Sequence, residues 1–199
     1  MVDTAYFLSD SARVDAGFPF RGAVDTLEPG DVAVVQMRNV EHGAVDWPAL
    51  TRVTLPTKRA PAFLASGDVI FTTRGRRNLA LALENVPGPA VCSPHFFILR
   101  PLKPGRLLPA FLAWQINQKP AQDYLQQAAT GSHILNITRG AIESLPVCIP
   151  AIEVQRAIID LAYTARCERE LVNALIENRQ RQLDAVAAQI LTPERLSHE

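Results

Sequence analysis

The sequence predicts an α+β protein, in which a mixed, β-rich domain with short helices precedes one long C-terminal helix. Three observations predict this class. Apolar, β-branched runs bounded by Gly and Pro recur through the first hundred residues, as in strands. After Pro109 the apolar spacing changes to that of short helices. From Ala151 to Leu191 there is no Gly or Pro, and apolar residues recur at steps of three, four or seven, with a single step of eight.

The long helix is expected over residues 150–192, after a domain of residues 1–149 and before a tail of residues 193–199. Pro150 suits a first helical position, and Thr192-Pro193 ends the run. A helix of roughly 40 residues is about 60 Å long, which exceeds the width of a small domain. Such a helix is expected to act as a spacer and pairing device, because its apolar seam needs a partner. A helix folded back on its own domain remains the alternative.

The expected pairing residues of this helix share one apolar seam. They are Ile158, Leu161, Val172, Leu175, Leu183, Val186 and Ile190. The eight-residue step from Leu175 to Leu183 passes over Arg179 and is typical of a stutter, a four-residue insertion in a heptad pattern.

The remaining elements are predicted from local patterns. Strands are expected at 32–37, 50–55, 69–73, 79–86, 91–98 and 145–150, and helices at 110–117 and 121–129, with a break at Lys119-Pro120. His95 falls inside an expected apolar strand, where a histidine is more often a core residue than a ligand. Trp114 is likewise expected in the core.

Composition places the chain among ordinary globular proteins, with 48% hydrophobic and 20% charged residues. No run approaches the ~18 apolar residues of a membrane span, and the first residues lack the pattern of a signal peptide. Cys92, Cys148 and Cys167 are scattered and form no CxxC pair, so neither a zinc site nor a disulfide framework is indicated. A cytoplasmic protein is expected.

The charge balance is even overall but uneven along the chain. The net charge is zero, with 20 basic and 20 acidic residues. Between Arg52 and Arg77 six basic residues face Asp68 alone. This segment is the expected anion-facing surface, and a solvated basic loop is the alternative.

Within that segment, the strand at 69–73 continues into Arg74-Gly75-Arg76-Arg77-Asn78. Guanidinium groups suit phosphates and guanine edges, and the Asn78 amide suits adenine. A second candidate is Thr130-Gly131-Ser132-His133, where small residues expose backbone N–H groups and hydroxyls that hold phosphates. A plain Gly cap of the preceding helix is the alternative there.

Several enzyme classes lack their motifs in this sequence. It contains no G-x-x-x-x-G-K-[ST], H-E-x-x-H, G-x-S-x-G or G-x-G-x-x-G, and its four histidines lack metal-ligand spacing. An amino-methyltransferase motif and a nuclease set of acidic residues are also missing. We therefore predict no catalytic residues, no metal site and no cofactor.

Motif-like segments occur in order along nearly the whole chain. They are Gly17-Phe18-Pro19-Phe20-Arg21, Val35-Gln36-Met37-Arg38-Asn39-Val40, 64–75, 95–101, Gly131-Ser132, and Leu145–Pro150 with Gln155 just after. In these segments the chain resembles the specificity subunit of type I restriction-modification systems. The usual ending proline-leucine-x-x-glutamine stands here as Pro150-Ala151-Ile152-Glu153-Val154-Gln155, so that motif matches incompletely.

The resemblance implies a target recognition domain that reads one half of a bipartite DNA sequence, followed by a helix that sets the spacing. Family members carry two such units and pair their helices antiparallel, whereas this chain has one unit. It implies a non-catalytic subunit that works with a methyltransferase subunit, and through it with a restriction subunit. A homodimer through the helix is the expected assembly; a second, non-identical half-subunit and a truncated remnant remain open.

The expected DNA contacts lie in the two candidate segments. They are Thr73, Arg74, Arg76, Arg77, Asn78, Gly131, Ser132 and His133. Two other function classes stay open, namely a small DNA-modifying enzyme with an unrecognised motif, and a coiled-coil scaffold that does not bind DNA. The sequence predicts neither the bases recognised nor whether the system restricts DNA or only methylates it.

Overall fold

A computed structural model of the chain describes residues 6–41, 43–55, 61–75, 78–130 and 136–191. The strands in these ranges are β1 (Tyr6–Phe7), β2 (Ala12–Ala16), β3 (Pro29–Val35), β4 (Val40–Glu41), β5 (Ala44–Val45), β6 (Thr51–Val53), β7 (Val69–Thr72), β8 (Ala80–Ala82), β9 (Ala90–Cys92), β10 (Phe96–Pro101) and β11 (Pro146–Val147). The α-helices are α1 (Pro109–Ile116), α2 (Lys119–Ala128), α3 (Arg139–Glu143) and α4 (Ile152–Leu191). The predicted α+β class with a long C-terminal helix is confirmed.

The chain divides into two compact units, Met1–Ala157 and Ile158–Glu199. The described strands and the three shorter helices all belong to the first unit. No helix among the described residues is both long and apolar enough to cross a membrane.

A four-stranded antiparallel sheet has the strand order β2–β10–β7–β8. Phe97 of β10 is paired with Ala16 on one side and with Phe71 on the other. All four residues of β7 are buried, which requires packing on both faces of this strand. The β7 strand therefore gives the loop that follows Thr72 a rigid base.

A three-stranded sheet has the order β6–β3–β9, in which β3 pairs antiparallel with β6 and parallel with β9. Its central strand is buried on both faces. Val34 packs with Val24, Val53 and Val91, whereas Val35 packs into the larger cluster around Phe96. Two-residue pairs, β1 with β11 and β4 with β5, complete the strand pairing of the described residues.

The strand predicted at 91–98 is wrong, because two strands in different sheets share this stretch. β9 ends at Cys92, and β10 begins at Phe96 after a turn. Pro94 in this turn has no N–H to donate to a ladder, which favours a break between strands. The prediction of a core His95 is also wrong, since His95 lies exposed in the turn.

The helical region follows the predicted pattern with one correction. α1 and α2 occupy the expected places, but Lys119 and Pro120 begin α2 and do not separate it from α1. Proline is well tolerated in the first helical turn, where its missing N–H has no intrahelical acceptor to lose. Trp114 is half-buried and stacks on Phe111 at 5.5 Å between ring centroids.

The long helix α4 contains 40 residues and begins at Ile152, two residues after the predicted start. The predicted end at Thr192 and the tail lie outside the described residues. Six of the expected seam residues are exposed, and Ile158 is half-buried. The exposed ones are Leu161, Val172, Leu175, Leu183, Val186 and Ile190.

Candidate nucleic-acid interface

The loop between β7 and β8 is held at its base by a network of hydrogen bonds. Asn78 Nδ2 donates to the Thr72 carbonyl (2.7 Å), and the Leu79 N–H donates to the Thr72 hydroxyl (2.8 Å). Gln122 of α2 donates to the Asn78 carbonyl (2.9 Å). The φ angle of 126° at Gly75 is one that side-chain-bearing residues rarely adopt. The residues at the base of the loop are therefore held in place against the sheet.

The predicted contact residues of this loop occupy different environments. Arg74 is exposed, whereas Thr73 and Asn78 are buried. The Asn78 amide is engaged with the Thr72 carbonyl, so this side chain supports the loop from within. Arg76 and Arg77 lie outside the described residues.

The second predicted contact, Gly131, Ser132 and His133, also lies outside the described residues, but both ends of its segment are described. Thr130 and Asn136 form an antiparallel bridge, with N–H···O distances of 3.1 and 2.9 Å. Asn136 forms a further bridge with Arg74.

The same junction continues by one residue, where the Ile137 N–H donates to the Thr73 carbonyl (2.9 Å). The two predicted contact segments therefore start from one place in the fold. Sequence spacing alone did not predict this, because Arg74 and Asn136 are 62 positions apart.

His95 is a residue that the sequence placed in the core, as the more frequent case, and not among the expected contacts. Its carbonyl accepts the Thr73 N–H at 2.9 Å, which brings this exposed histidine beside the base of the Arg74 loop. The preceding Pro94 was the available signal for a turn at this point. Arg74, His95 and Asn136 are named here the candidate recognition surface.

Arg74 differs electrostatically from several other arginines of the first unit. Arg38 pairs with Asp25 (2.6 Å), and Arg139 pairs with Glu143 (2.7 Å). Among the described residues, no carboxylate forms an ion pair with Arg74. An exposed guanidinium without such a partner keeps its charge and donors for an anion or a base edge.

Asp68, the single acidic residue of the basic segment, is neutralised inside the fold. Its carboxylate accepts from Arg100 at 2.9 and 3.1 Å and from the Ala65 N–H at 2.9 Å. The hydrogen bond with Asp68 raises the pKa of Arg100 above its ordinary value. Asp15 accepts from the same guanidinium at 2.8 Å. Because Asp68 is buried and paired, it offsets little of the charge of Arg74.

Two motif residues have structural roles. A Cβ at Gly17 would lie 2.0 Å from the Ser93 carbonyl oxygen, so only glycine fits where this segment meets the β9–β10 turn. Gln155 is fully buried; its Oε1 accepts the Leu108 N–H at 2.9 Å. These contacts explain both motif positions by packing and hydrogen bonding.

No group of three or more His, Cys, Asp or Glu side chains is arranged to hold a metal ion in the described ranges. The cysteines show no paired sulfurs: Cys92 is buried, and Cys148 and Cys167 are half-buried free thiols. Burial raises the pKa of the Cys92 thiol.

Three solved structures with a similar fold come from type I restriction-modification systems. The HsdS subunit from Thermoanaerobacter tengcongensis matches with a TM-score of 0.64 and 16% identity, over 98% of this chain and 51% of that chain. The S subunit from M. genitalium matches with a TM-score of 0.56 and 17% identity, over 94% and 46%.

A chain from a structure concerned with complex assembly and conformational transition of the type I R-M system matches with a TM-score of 0.57 and 13% identity, over 94% and 43%. No protein-family model and no curated protein matches the sequence.

This chain spans about half the length of each of these three structures. The resemblance expected from the ordered motifs is confirmed at the level of the fold. The chain has the fold of one half of the S subunits of type I restriction-modification systems.

Proposed function

We propose that this chain is a sequence-specific DNA-recognition subunit of a type I restriction-modification complex and that it reads one half of a bipartite site. The observation that carries the proposal is the junction of Arg74 with Asn136. Arg74 is exposed and has no ion-pair partner among the described residues, and Asn136 also pairs with Thr130, where the second predicted contact segment begins. The shared fold supports the choice of family.

Base recognition is assigned to the loop after β7. A guanidinium on a rigid base suits bidentate hydrogen bonds to O6 and N7 of guanine in the major groove. Arg74 is the proposed base contact, and Arg76, Arg77 and His95 are proposed as further contacts. Thr73 and Asn78 hold the loop, while Gly131, Ser132 and His133 are the proposed phosphate contacts.

The subunit is proposed to be non-catalytic and to depend on a methyltransferase subunit for chemistry. The missing enzyme motifs and the family fold support this assignment. A restriction subunit joins through the methyltransferase in the proposed complex. A small DNA-modifying enzyme and a scaffold without DNA contact are the competing function classes.

The helix is proposed to join two copies of the chain. Its seam exposes large apolar side chains along most of α4, including Leu161, Leu183 and Ile190. Such a seam favours burial against a second helix. Two-fold pairing is the commonest symmetry of homo-oligomers.

DNA binding with and without the methyltransferase subunit tests the proposed function. Residues 1–150 carry 14 basic and 12 acidic side chains, so this region neutralises few phosphates by itself. We expect weak binding by the chain alone and tight, sequence-selective and strongly salt-dependent binding by the complex.

The outcomes separate the three classes. Methylated or cleaved DNA from the chain alone with added cofactor indicates an enzyme. An absence of DNA binding in both samples indicates a scaffold. Equal affinity and selectivity with and without the methyltransferase subunit contradicts the proposed dependence on that partner.

A further inference from the structure

We propose that a cavity beside the β9–β10 turn receives one nucleobase that leaves the base stack of the bound DNA. The inference rests on the proposed function and adds a second mode of recognition to it, because a base held in a cavity is read on its pairing edge and not from a groove. The cavity has a volume of about 460 Å³. Ligand cavities in proteins commonly measure about 300–1,000 Å³, so this one is large enough for a single base.

Three segments that are distant in sequence form the walls of the cavity. They lie within residues 20–24, 36–38 and 93–95. Main-chain hydrogen bonds connect these segments, since the Ser93 N–H donates to the Val35 carbonyl at 2.9 Å and the Phe18 N–H to the Cys92 carbonyl at 2.7 Å. The rings of Phe18 and Phe20 lie 4.8 Å apart between centroids. The walls are therefore fixed by the fold, as is usual for ligand sites.

The lining combines apolar surface with a few polar groups. Phe20, Met37 and Pro94 supply the apolar surface on which a planar base stacks. Ser93 supplies a hydroxyl and Gln36 an amide, both of which hydrogen-bond to donors and acceptors on a base edge. Proteins that hold an extrahelical base use this combination of stacking and hydrogen bonds to its edge.

The Ser93 hydroxyl is the group that points to a ligand. Ser93 is only 5% exposed, and its Oγ has no hydrogen-bond partner among the described residues. Most buried polar side chains in proteins have a partner, because a buried polar group without one is costly. An unpartnered hydroxyl in a residue that lines a cavity therefore favours an occupant with hydrogen-bonding groups on its edge.

The charges at the cavity suit a neutral base better than a phosphate. Arg38 belongs to the lining, but its guanidinium forms an ion pair with Asp25 at 2.6 Å. The Thr51 hydroxyl donates to the same carboxylate at 3.1 Å. The hydrogen bond from Arg38 lowers the pKa of Asp25, so this carboxyl is ionised at neutral pH. The two charges offset each other, which leaves little net attraction for a phosphate.

The cavity adjoins the candidate recognition surface. His95 belongs to both, and its carbonyl accepts the N–H of Thr73, the residue before Arg74, at 2.9 Å. We therefore expect a duplex bound at Arg74 to pass beside the cavity. Because no catalytic residues are predicted in this chain, the base is held there for recognition and not for chemistry. A side chain of the methyltransferase subunit is the competing occupant.

Abasic substitutions in the DNA test the inference. The chain in complex with its methyltransferase subunit is titrated with duplexes in which an abasic analogue replaces each base of the site in turn. Removal of the base that enters the cavity should weaken binding, because its contacts are lost. Removal of the base opposite should tighten binding, because no base pair must then be broken. A base that is read in a groove gives no such tightening.

Ala23→Trp separates this cavity from any base pocket of the methyltransferase subunit. Ala23 is exposed and lines the cavity, so an indole at this position fills the space from outside the core. We expect the pair of abasic effects to disappear at one position of the site and the affinity for the intact site to fall at least about fivefold. Ala49→Trp, at an exposed position outside the lining, is the matched control and should retain both.

Ser93→Ala distinguishes a ligand contact from a structural role. The free chain loses no hydrogen bond within its described residues, so the midpoint of thermal unfolding should not fall. The affinity of the complex for its site should fall about 2–10-fold, as expected for one hydrogen bond. The exposed Ser66→Ala is the control and should change neither quantity. Lower stability with unchanged affinity would show that the hydroxyl serves the fold alone.

Three results for Ala23→Trp would overturn the inference. Full affinity with unchanged abasic effects means that no base enters the cavity. Equal weakening on all DNA sequences indicates a backbone contact. Reduced assembly with the methyltransferase subunit in the absence of DNA identifies a side chain of that subunit as the occupant.

The failure of this inference and the failure of the proposed function are distinguishable. If the unmodified complex shows no sequence-selective DNA binding, the proposed function fails and the inference fails with it. If binding is selective and Ala23→Trp leaves it unchanged, the proposed function stands and only the role of the cavity is refuted.

Discussion

Amide side chains bond to the backbone where distant segments of the first unit meet. Asn117 accepts the Ala80 N–H at 2.9 Å and donates to the Ala80 carbonyl at 2.7 Å, as a neighbouring strand would. Gln115 makes the same pair of bonds with Cys148, at 2.6 and 3.1 Å. A buried backbone group without a partner costs about 1–3 kcal/mol. These side chains therefore stabilise the edges at which regular strand pairing ends.

The Gln155 side chain makes three hydrogen bonds of this kind. Besides accepting from the Leu108 N–H, it donates to the carbonyls of Arg106 (2.7 Å) and Pro150 (2.8 Å). We expect Gln155→Ala to lower the free energy of unfolding by about 3 kcal/mol in urea denaturation, because buried groups lose their partners. The exposed Gln127→Ala is the control, with a change within about 0.5 kcal/mol. A loss under 1 kcal/mol for Gln155→Ala would contradict this role.

Arg74 is the residue proposed for direct base recognition. If it bonds to guanine, Arg74→Ala should cost about 1–3 kcal/mol of binding and relax one position of the site. Affinities of the complex for all single-base variants of its site measure this. Arg13→Ala is the control, since Arg13 is exposed but paired with Asp15.

Two other results would change the assignment of Arg74. Uniform weakening across all sequences would identify a phosphate contact instead of a base contact. Unchanged affinity after replacing Arg74, Arg76 and Arg77 together would reject this surface.

At the level of secondary structure, the chain passes from one sheet to the other at the β9–β10 turn. β9 belongs to the three-stranded sheet, and β10 to the four-stranded sheet. The Gly17 N–H donates to the Phe96 carbonyl and the Phe18 N–H to the Cys92 carbonyl, at 2.9 and 2.7 Å. The Gly17-Phe18 segment thus bonds to both strands of the turn and fixes the sheets where they meet.

Replacing Gly17 tests this connection. The new methyl group of Gly17→Ala would overlap the Ser93 backbone, which must then move together with the turn. We expect a loss of about 1–3 kcal/mol in the free energy of unfolding, as for other overpacked sites. Gly88→Ala is the matched control, because nothing lies within 4 Å of its added Cβ. Equal thermal and urea stability of the two variants would show that the Ser93 backbone does not exclude a side chain at position 17.

The sequence predicted those elements whose signals are local. β3, β7 and α4 follow from apolar spacing and from Gly and Pro at their ends. The strand break at Pro94 was missed because apolar residues continue on both sides of it. The parallel pairing of β3 with β9 depends on contacts between residues far apart in sequence, which spacing does not encode.

Some residues of the candidate recognition surface were likewise predicted from local signals, and others were not. Arg74 was predicted because strand, glycine and basic residues are contiguous. Asn136 and His95 were not, because only the fold brings them to Thr73 and Arg74. Asn78 has a base-reading side chain by type, but its amide bonds to the Thr72 carbonyl in a buried position. Residue type therefore predicted chemistry better than it predicted accessibility.

At the scale of the whole molecule, the two units have different charges and surfaces. Residues 158–199 carry 5 basic and 7 acidic side chains, against 15 basic and 13 acidic side chains in residues 1–157. The second unit exposes large apolar side chains along α4, from Leu161 to Leu191. In the proposed complex, the first unit therefore binds DNA, and the second unit determines how many copies act together.

The target sequence should reflect the symmetry of that pairing. Two identical recognition units related by a two-fold axis bind identical half-sites in inverted orientation, so the site should be an interrupted palindrome. Its gap should be constant if α4 sets the distance between the two copies, as proposed. Sequencing of methylated bases in DNA from cells that express the chain with its methyltransferase subunit identifies the site. Two different half-sequences would mean that the second recognition unit is not a copy of this chain, even if the first still reads its half through Arg74.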